Sequence, residues 1–377
     1  MTSNTPEVPQ AVCLDCHRCE RGCPMLMAEG RSPHSLLQEQ STLDPQAAVA
    51  CTECGYCEAV CPAGLSLQKA VQQHAGKKTT SQLAKLRIFT HQWLSFSSLL
   101  RLQKTGNGSY SHYAFMPGCS LAGGSPQTVQ EVYRQLAEFF PGIGLVMDCC
   151  ARPSAYLLSE KTTTTFLSKL EQGLKNSKIQ KLIVACPNCF SFLSNKFPQL
   201  EIISLYPILA SMPLPVCSYS EKLALHDPCQ TRNEPGVHSS VRQILAACHI
   251  SYEEFADNRQ NTQCCGHGNM LAVTMPKLAQ KQRLHRAGQT SCHKIVTYCR
   301  SCSEAFDLAG KKGIHLLDLI FDPQSITEPH DFQNHSQSTQ EANKTWMNKK
   351  QPSAKRFKWY ANSWINRILL KLRNCAK

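Results

Sequence analysis

In TVQEVYRQLAEFF, Val129, Val132, Tyr133, Leu136 and Phe140 return at steps of three and four, which places them on one face of a helix. The apolar run YAFM precedes that stretch and GIGLVMD follows it. A second helical stretch spans about 161–175, and the run KLIVA comes next. Strand and helix in alternation predict an α/β fold built on a parallel sheet. Loops at the carboxyl ends of such strands converge on one crevice, where open parallel sheets bind ligands.

The apolar runs lead to cysteines, and the cysteines repeat. HYAFMPGC, ending at Cys119, matches KLALHDPC, ending at Cys229; MDCCA at 147–151 matches TQCCG at 262–266; LIVACPNC matches IVTYCRSC. The offsets are 110, 115 and 113 residues, steady enough to imply two copies of one unit. This predicts a duplicated parallel α/β arrangement with a pseudo-two-fold relation, over 112–215 and 216–322. All five cysteines of each unit fall at predicted strand ends.

The N-terminal region, 1–75, has a different pattern, CLDCHRCERGCP at 13–24 and CTECGYCEAVCP at 51–62. C-x2-C-x2-C-x3-C-P is the spacing of the bacterial ferredoxin run, in which the fourth cysteine of one run serves the cluster of the other. Cys13, Cys16, Cys19 and Cys61 are therefore expected to bind one [4Fe-4S] cubane cluster, and Cys51, Cys54, Cys57 and Cys23 a second. Pro24 and Pro62 redirect the chain just after the fourth ligand. Zinc takes paired CxxC units separated by a longer loop, which these runs do not match. His17 lies between filled ligand positions and reads as a surface residue. Between the runs, LLQEQSTLDPQAAVA predicts helix, turn and helix, with Asp44-Pro45 opening the second. The whole is an α-rich module.

Composition adds a location to the charge. The 377 residues, 42% hydrophobic, suffice for two or three domains. The formal charge of +13 lies mostly in residues 343–377, which hold ten Lys or Arg and no Asp or Glu. A nearly neutral body excludes a nucleic-acid reading based on isoelectric point. The first thirty residues show no basic segment followed by an apolar run, and most of the 22 cysteines sit in CxxC or CC clusters. Metal-bound thiolates in a reducing cytoplasm are thus expected, not a disulfide framework.

The remaining segments read as connectors. Residues 76–111 enclose QLAKLRIFTHQWLSFSSLLRLQK, one or two amphipathic helices that pack between modules or contact a partner or a membrane. Residues 323–345 read as a flexible linker. In the tail, 346–377, Phe357, Tyr360, Trp364, Ile365, Ile368 and Leu372 share a helical face amid Lys and Arg. That pattern suits a helix lying on an anionic membrane surface; a partner groove would use the same stripe. Its apolar stretches are too short to span a bilayer.

The pattern of one Cys, then CCG, then CxxC, with gaps of 29 and 35 residues in the first unit and 34 and 33 in the second, resembles the cysteine-rich CCG domain of the heterodisulfide reductase family. With the ferredoxin-type runs in front, residues 10–320 resemble the fused iron–sulfur subunits of that family, those of the D type. The iron–sulfur subunits of anaerobic glycerol-3-phosphate dehydrogenase and glycolate oxidase are similar. The resemblance implies that five cysteines of a unit hold a further, non-cubane [4Fe-4S] cluster. By position these are Cys119, Cys149, Cys150, Cys186 and Cys189 in the first unit. In the second they are Cys229, Cys264, Cys265, Cys299 and Cys302, which would be catalytic if the cluster cleaves a disulfide. Zinc or thiol–disulfide exchange at these ten cysteines stays open. Ala151 departs from the family glycine, where a Cβ would strain a turn with positive φ. His226 and His267 flank ligand positions and are read as hydrogen-bond donors to sulfur or as structural. Cys217, Cys248, Cys292 and Cys375 are left over.

These readings converge on an iron–sulfur oxidoreductase subunit that transfers electrons, with disulfide reduction as the alternative. Neither a Rossmann phosphate fingerprint nor a P-loop is present. The expected partner is therefore a flavoprotein dehydrogenase or a membrane cytochrome or quinone-linked subunit. The expected location is cytoplasmic, peripheral on the inner face of the membrane.

Overall fold

The runs YAFM, GLV, KLIV, LALH and KIVT each form a short strand with three or four buried side chains, as runs with little alternation do when both faces of a sheet are covered. The computed structural model describes residues 12–29, 49–68, 81–97, 103–104, 107–215, 219 and 221–327. Strands β1 (Gln103–Lys104), β2 (Tyr113–Met116), β3 (Gly144–Val146), β4 (Lys181–Val184) and β5 (Glu201–Ser204) make one sheet, in the order β1-β3-β2-β4-β5. Strands β6 (Leu223–His226), β7 (Tyr252–Glu254), β8 (Lys294–Thr297) and β9 (Lys312–His315) make the other, in the order β7-β6-β8-β9. Without the antiparallel edge strand β1, the two sheets are both parallel and have the same order. The chain is an α/β protein with two similar four-stranded parallel sheets.

The two helices predicted within the first unit form as Pro126–Phe139 and Glu160–Asn176. Pro126, Pro187, Pro235 and Pro276 each open a helix, at the position where a missing N–H costs nothing. Helix Pro126–Phe139 buries Val129, Val132 and Leu136, and helix Glu160–Asn176 is capped by the Ser159 hydroxyl, which accepts from the Thr162 amide at 3.2 Å. Two strands escaped the pattern. β5 (EIIS) and β9 (KGIH) are half-exposed edges with polar or glycine residues among the apolar ones.

One hydrophobic cluster runs through both sheets. It joins Phe115, Val132, Leu136 and Leu205 to Leu225, Val241, Val296 and Leu316. Helix Leu205–Ala210, which follows the first sheet, packs on helix Pro235–Ala247 beside the second; helix Leu316–Phe321, which follows the second, packs on Pro126–Phe139 beside the first. Polar bonds lock the exchange: the Asp318 carboxylate accepts from Thr128 at 2.6 Å, from Ser125 at 3.0 Å and from Arg300 at 3.0 Å. The Tyr206 hydroxyl donates to the Tyr298 carbonyl at 2.8 Å.

The connectors differ from their pattern. Helix Gln82–Ser95 turns Ala84, Ile88, Gln92 and Ser95 inward and leaves Leu83, Leu86 and Trp93 exposed, because its inward face meets thiols and not only apolar side chains. Within the stretch read as helical, Gln103 and Lys104 instead pair with β3. Residues 324–327 form a short helix, with Ile326 in the shared cluster, where a linker was expected. Of the helix, turn and helix expected over 36–50, only Val49 and Ala50 fall within the described residues, and both are helical; Pro24–Glu29, before that stretch, forms a short helix of its own. The tail and most of the linker before it lie outside the described residues. Among the described residues, no helix is long and apolar enough to cross a membrane.

Candidate metal centres

The two N-terminal runs repeat in backbone as well as in sequence. Asp15 and His17 in the first run have φ of 49° and 55°; Glu53 and Gly55, at the same places in the second, have 53° and 72°. Left-handed residues between cysteines turn successive N–H groups to one side of the loop, a concavity that favours anions. Cys13, Cys16, Cys19 and Cys61 line one small hollow. Burial pushes the Cys19 thiol up to about 12, with Cys57, Cys13 and Cys61 adding to it. Burial likewise pushes Cys23 well up, and its thiol neighbours are Cys54, Cys51 and Cys57. The fourth cysteine of each run thus stands with the first three of the other. His17 is exposed and bonds to Glu20 at 2.8 Å.

Crowded thiols that raise one another's pKa lack positive charge, and thiolate-bound iron supplies it. The donor set, all sulfur in an N–H-lined loop, fits iron–sulfur clusters.

In the first unit Cys119 follows β2, Cys149 and Cys150 follow β3, and Cys186 and Cys189 follow β4. All gather beside the central strand, where the chain switches sides of the sheet. Cys119 and Cys149 sulfurs are 3.9 Å apart, and Gln92 donates to the Cys149 sulfur at 3.3 Å. Hydrogen bonds from Cys149 and then Cys189 hold Cys150 down to about 5 against its burial. Gly118 has φ of 87°, and a Cβ there would lie 2.7 Å from the Cys186 Cβ, so glycine lets the first loop close on the third. Ala151 is buried with φ of 63°, the left-handed conformation its position demands.

The second unit places Cys229, Cys264, Cys265, Cys299 and Cys302 in the same way after β6, β7 and β8. Hydrogen bonds from Cys229 and Cys265 hold Cys264 well below its ordinary value, helped by Thr52 and by the Gly266 amide at 3.3 Å. Cys265 and Cys302 are pushed up. His226 is fully buried, with a ring nitrogen within 4.8 Å of the Cys265 and Cys302 sulfurs. Arg286 donates to its Nδ1 at 3.4 Å, so Nε2 carries the proton; burial and then Arg286 lower its pKa to about 3. His267 bonds to the Ser301 carbonyl at 2.6 Å and to Arg283 at 3.4 Å, a structural role. Of the leftover cysteines, Cys248 is buried in the shared core and Cys292, half-buried, precedes β8; Cys217 and Cys375 lie outside the described residues.

The structure joins these sites in a series that sequence reasoning did not give. The second N-terminal run docks on the second unit. Arg232 donates to the Cys54 carbonyl at 2.9 Å, and Asn269 to the Cys51 carbonyl at 2.6 Å. A Cβ on Gly268 would come within 2.7 Å of the Thr52 carbonyl. Thr52 and Cys54 thereby face Cys264. Asn188, between two cysteines of the first unit, donates to the Cys299 sulfur of the second at 3.5 Å. Gln92, Thr52, Asn188 and Arg232 had no signal in the sequence beyond the places of Thr52 and Asn188 inside a CxxC.

Comparison with known proteins agrees with this layout. Residues 12–66 match the 4Fe-4S dicluster domain, and residues 113–194 and 223–307 each match the Cysteine-rich domain. The chain is 22% identical to the D subunit of the dihydromethanophenazine:CoB–CoM heterodisulfide reductase of Methanosarcina barkeri, over 67% of this chain and 70% of that one. It is an iron–sulfur, cysteine-rich-domain oxidoreductase subunit related to the D subunit of heterodisulfide reductase. The same subunit of Methanosarcina mazei is 20% identical over 77% of this chain and 86% of its own length. An EtfAB:quinone oxidoreductase of Syntrophomonas wolfei is 27% identical over 34% of this chain, which spans only 19% of that longer protein. The chain is thus a redox-active iron–sulfur protein.

Proposed function

We propose that the chain is the electron-transfer subunit of a flavoprotein-linked or membrane-associated complex, with the dicluster module feeding or draining the second cysteine-rich unit. The docking of the Cys51–Cys57 loop on that unit, through Arg232 and Asn269, carries this reading. Bound iron–sulfur clusters supply one-electron carriers at fixed positions. In this reading Cys13, Cys16, Cys19 and Cys61 hold one cubane, and Cys51, Cys54, Cys57 and Cys23 the other. Cys229, Cys264, Cys265, Cys299 and Cys302 hold a further cluster, and the five cysteines of the first unit hold a fourth centre. Protein residues keep water out, hold the loops together and direct N–H groups at sulfur. In the same reading the modules divide at about 75 and 112, the units at about 215, and a pseudo-two-fold axis relates the units, a relation that the reciprocal packing of Leu205–Ala210 and Leu316–Phe321 supports.

Reduction of a disulfide at the second unit is the alternative reading, favoured by the activity for which the Methanosarcina relatives are named. It needs two electrons and two protons per disulfide, giving two thiols. The electrons would arrive one at a time through the dicluster module. An EPR redox titration of the anaerobically purified protein, repeated with a small-molecule disulfide, tests both. A signal distinct from the cubanes that changes with the disulfide supports catalysis. Cubane and further signals unmoved by it support electron transfer alone. No signal beyond the cubanes would overturn the role given to the second unit.

We further propose that residues 346–377 place the chain on the inner face of an anionic membrane. Deleting them should abolish sedimentation with anionic vesicles and leave the clusters intact; unchanged sedimentation would contradict it.

A further inference from the structure

The two cysteine-rich units are alike in sheet order and thiol placement, yet different elements close them. Thr52 and Cys54 of the dicluster module face Cys264 in the second unit. Over the equivalent Cys149 of the first unit lies helix Gln82–Ser95, which belongs to neither repeat. That helix is fixed along its length. Ser81 caps it, accepting from the Ala84 amide at 3.2 Å, and Ile88 and Gln92 are buried. Just past its end the Phe96 ring stacks on Phe166 at 5.4 Å.

We propose that His91, on this helix, supplies a nitrogen ligand to the metal centre of the first unit, making it a mixed imidazole–thiolate centre while that of the second unit is thiolate-only. The inference rests on the proposal that the first unit holds a metal centre at all. The ligand atoms of His91, Cys119 and Cys149 all lie within 4.8 Å of one another, and His91 hydrogen-bonds to the Cys119 thiol. The Cys119 and Cys149 sulfurs are 3.9 Å apart. Two thiolates bound tetrahedrally to one metal at about 2.3 Å would be separated by about 3.8 Å. Gln92, the next residue along, donates to the Cys149 sulfur and so fixes the other side of the same pair.

His226 in the second unit shows that nearness to thiols is not enough. Arg286 occupies its Nδ1 as a donor, leaving Nε2 protonated, so that ring can donate to sulfur but cannot offer a lone pair from Nε2 to a metal. Its companions are Cys265 and Cys302, whereas those of His91 are Cys119 and Cys149, so the two histidines are not repeat equivalents. Replacing an anionic thiolate by neutral imidazole lowers the charge of a centre and raises its potential when the metal is iron. Zinc accepts the same ligands and would leave the first unit redox-silent.

The test uses the full-length, anaerobically purified protein labelled with 15N-histidine. Metal analysis and zinc-edge X-ray absorption address zinc; pulsed EPR of the reduced protein addresses iron. One zinc per chain with a mixed nitrogen and sulfur shell, or a strongly coupled histidine nitrogen in an iron signal, is expected. Either feature should disappear in His91→Leu, and His91→Cys should restore the metal content of the first unit. An all-sulfur zinc shell, iron signals without a strongly coupled histidine nitrogen, or a His91→Leu protein with unchanged spectra would overturn the assignment of His91 alone. Absence of any metal beyond the dicluster module and the second unit would overturn the first-unit centre as well.

Discussion

Arg232 donates from Nε to the main-chain carbonyl of Cys54 at 2.9 Å, joining positions 178 residues apart. The same guanidinium donates to the Thr262 carbonyl at 2.6 Å and to that of Gln260, so one buried cation holds the Cys51–Cys57 loop against the turn that leads to Cys264. Arg232→Met keeps the apolar stem and leaves these carbonyls without their donor. The Cys54 carbonyl is the acceptor that crosses the contact, so about 1–3 kcal/mol of docking stability should be lost, the cost of one buried group left unpaired. Hydrogen exchange should accelerate at 51–57 while cubane EPR intensity persists. Unchanged exchange would show that apolar contacts alone hold the loop.

Ala151 and Gly266 occupy the same place after their cysteine pairs but tolerate different residues. Ala151 adopts φ of 63°, within reach of an L-residue, whereas Gly266 has φ of 90° and a Cβ would meet the Ala279 carbonyl at 2.8 Å. Removing the Ala151 methyl relieves left-handed strain of about 1–2 kcal/mol but gives up a buried methyl and adds freedom to the unfolded chain. Ala151→Gly should therefore change stability by less than about 1 kcal/mol. Gly266→Ala should cost more than about 2 kcal/mol, through strain and a backbone clash that the Arg283 helix must absorb. Denaturant unfolding of both variants checks the asymmetry; equal costs would refute it.

The sheet and the thiols were legible because both are local. YAFM and KLIV are short, largely apolar runs, and each cysteine-bearing loop carries its own spacing, so neither needed knowledge of the partner unit. β5 and β9 were not legible, since Glu201, Lys312 and Gly313 interrupt four-residue edge strands that are partly exposed. The crossed packing of Leu205–Ala210 and Leu316–Phe321 was hidden for another reason: an apolar stripe says that a helix is covered, not by which unit. Gln92, Thr52 and Arg232 act across 57 to 212 residues of chain, and a buried polar residue in a helical pattern looks the same whether it meets a thiol or water.

His315 caps helix Leu316–Phe321, its Nδ1 accepting from the Leu317 amide at 3.2 Å, and burial lowers its pKa to about 4. The folded value lies below the unfolded one, about 6.5. The stability that neutral His315 provides is therefore complete above pH 6.5 and is lost as the pH falls towards 4, by up to about 3 kcal/mol. Asparagine caps a helix without titrating near neutrality. Between pH 6.5 and 5.5 the native protein should lose about 1 kcal/mol relative to His315→Asn in urea unfolding. Parallel pH profiles would mean that His315 gains its proton without opening the structure.

Asn188 belongs to the first unit by sequence and to the second by its hydrogen bond. Its Nδ2 donates to the Cys299 sulfur at 3.5 Å, while its main-chain carbonyl accepts from Arg152 at 3.1 Å, so the backbone is tied to its own unit and the side chain reaches the other. An N–H directed at a metal-bound thiolate stabilises the more negative, reduced state and raises the potential. Asn188→Ala removes that donor and leaves all ten cysteines in place. The potential of the centre at the second unit should fall by about 30–60 mV, the one-electron equivalent of roughly 0.7–1.4 kcal/mol. Those of the cubanes should stay fixed, because neither N-terminal run touches Asn188 through a hydrogen bond among the described residues. Potentiometric EPR separates the signals. A shift shared by all of them would point to a general loosening of the fold, and no shift at all would mean that the Asn188 amide does not reach the bound thiolate.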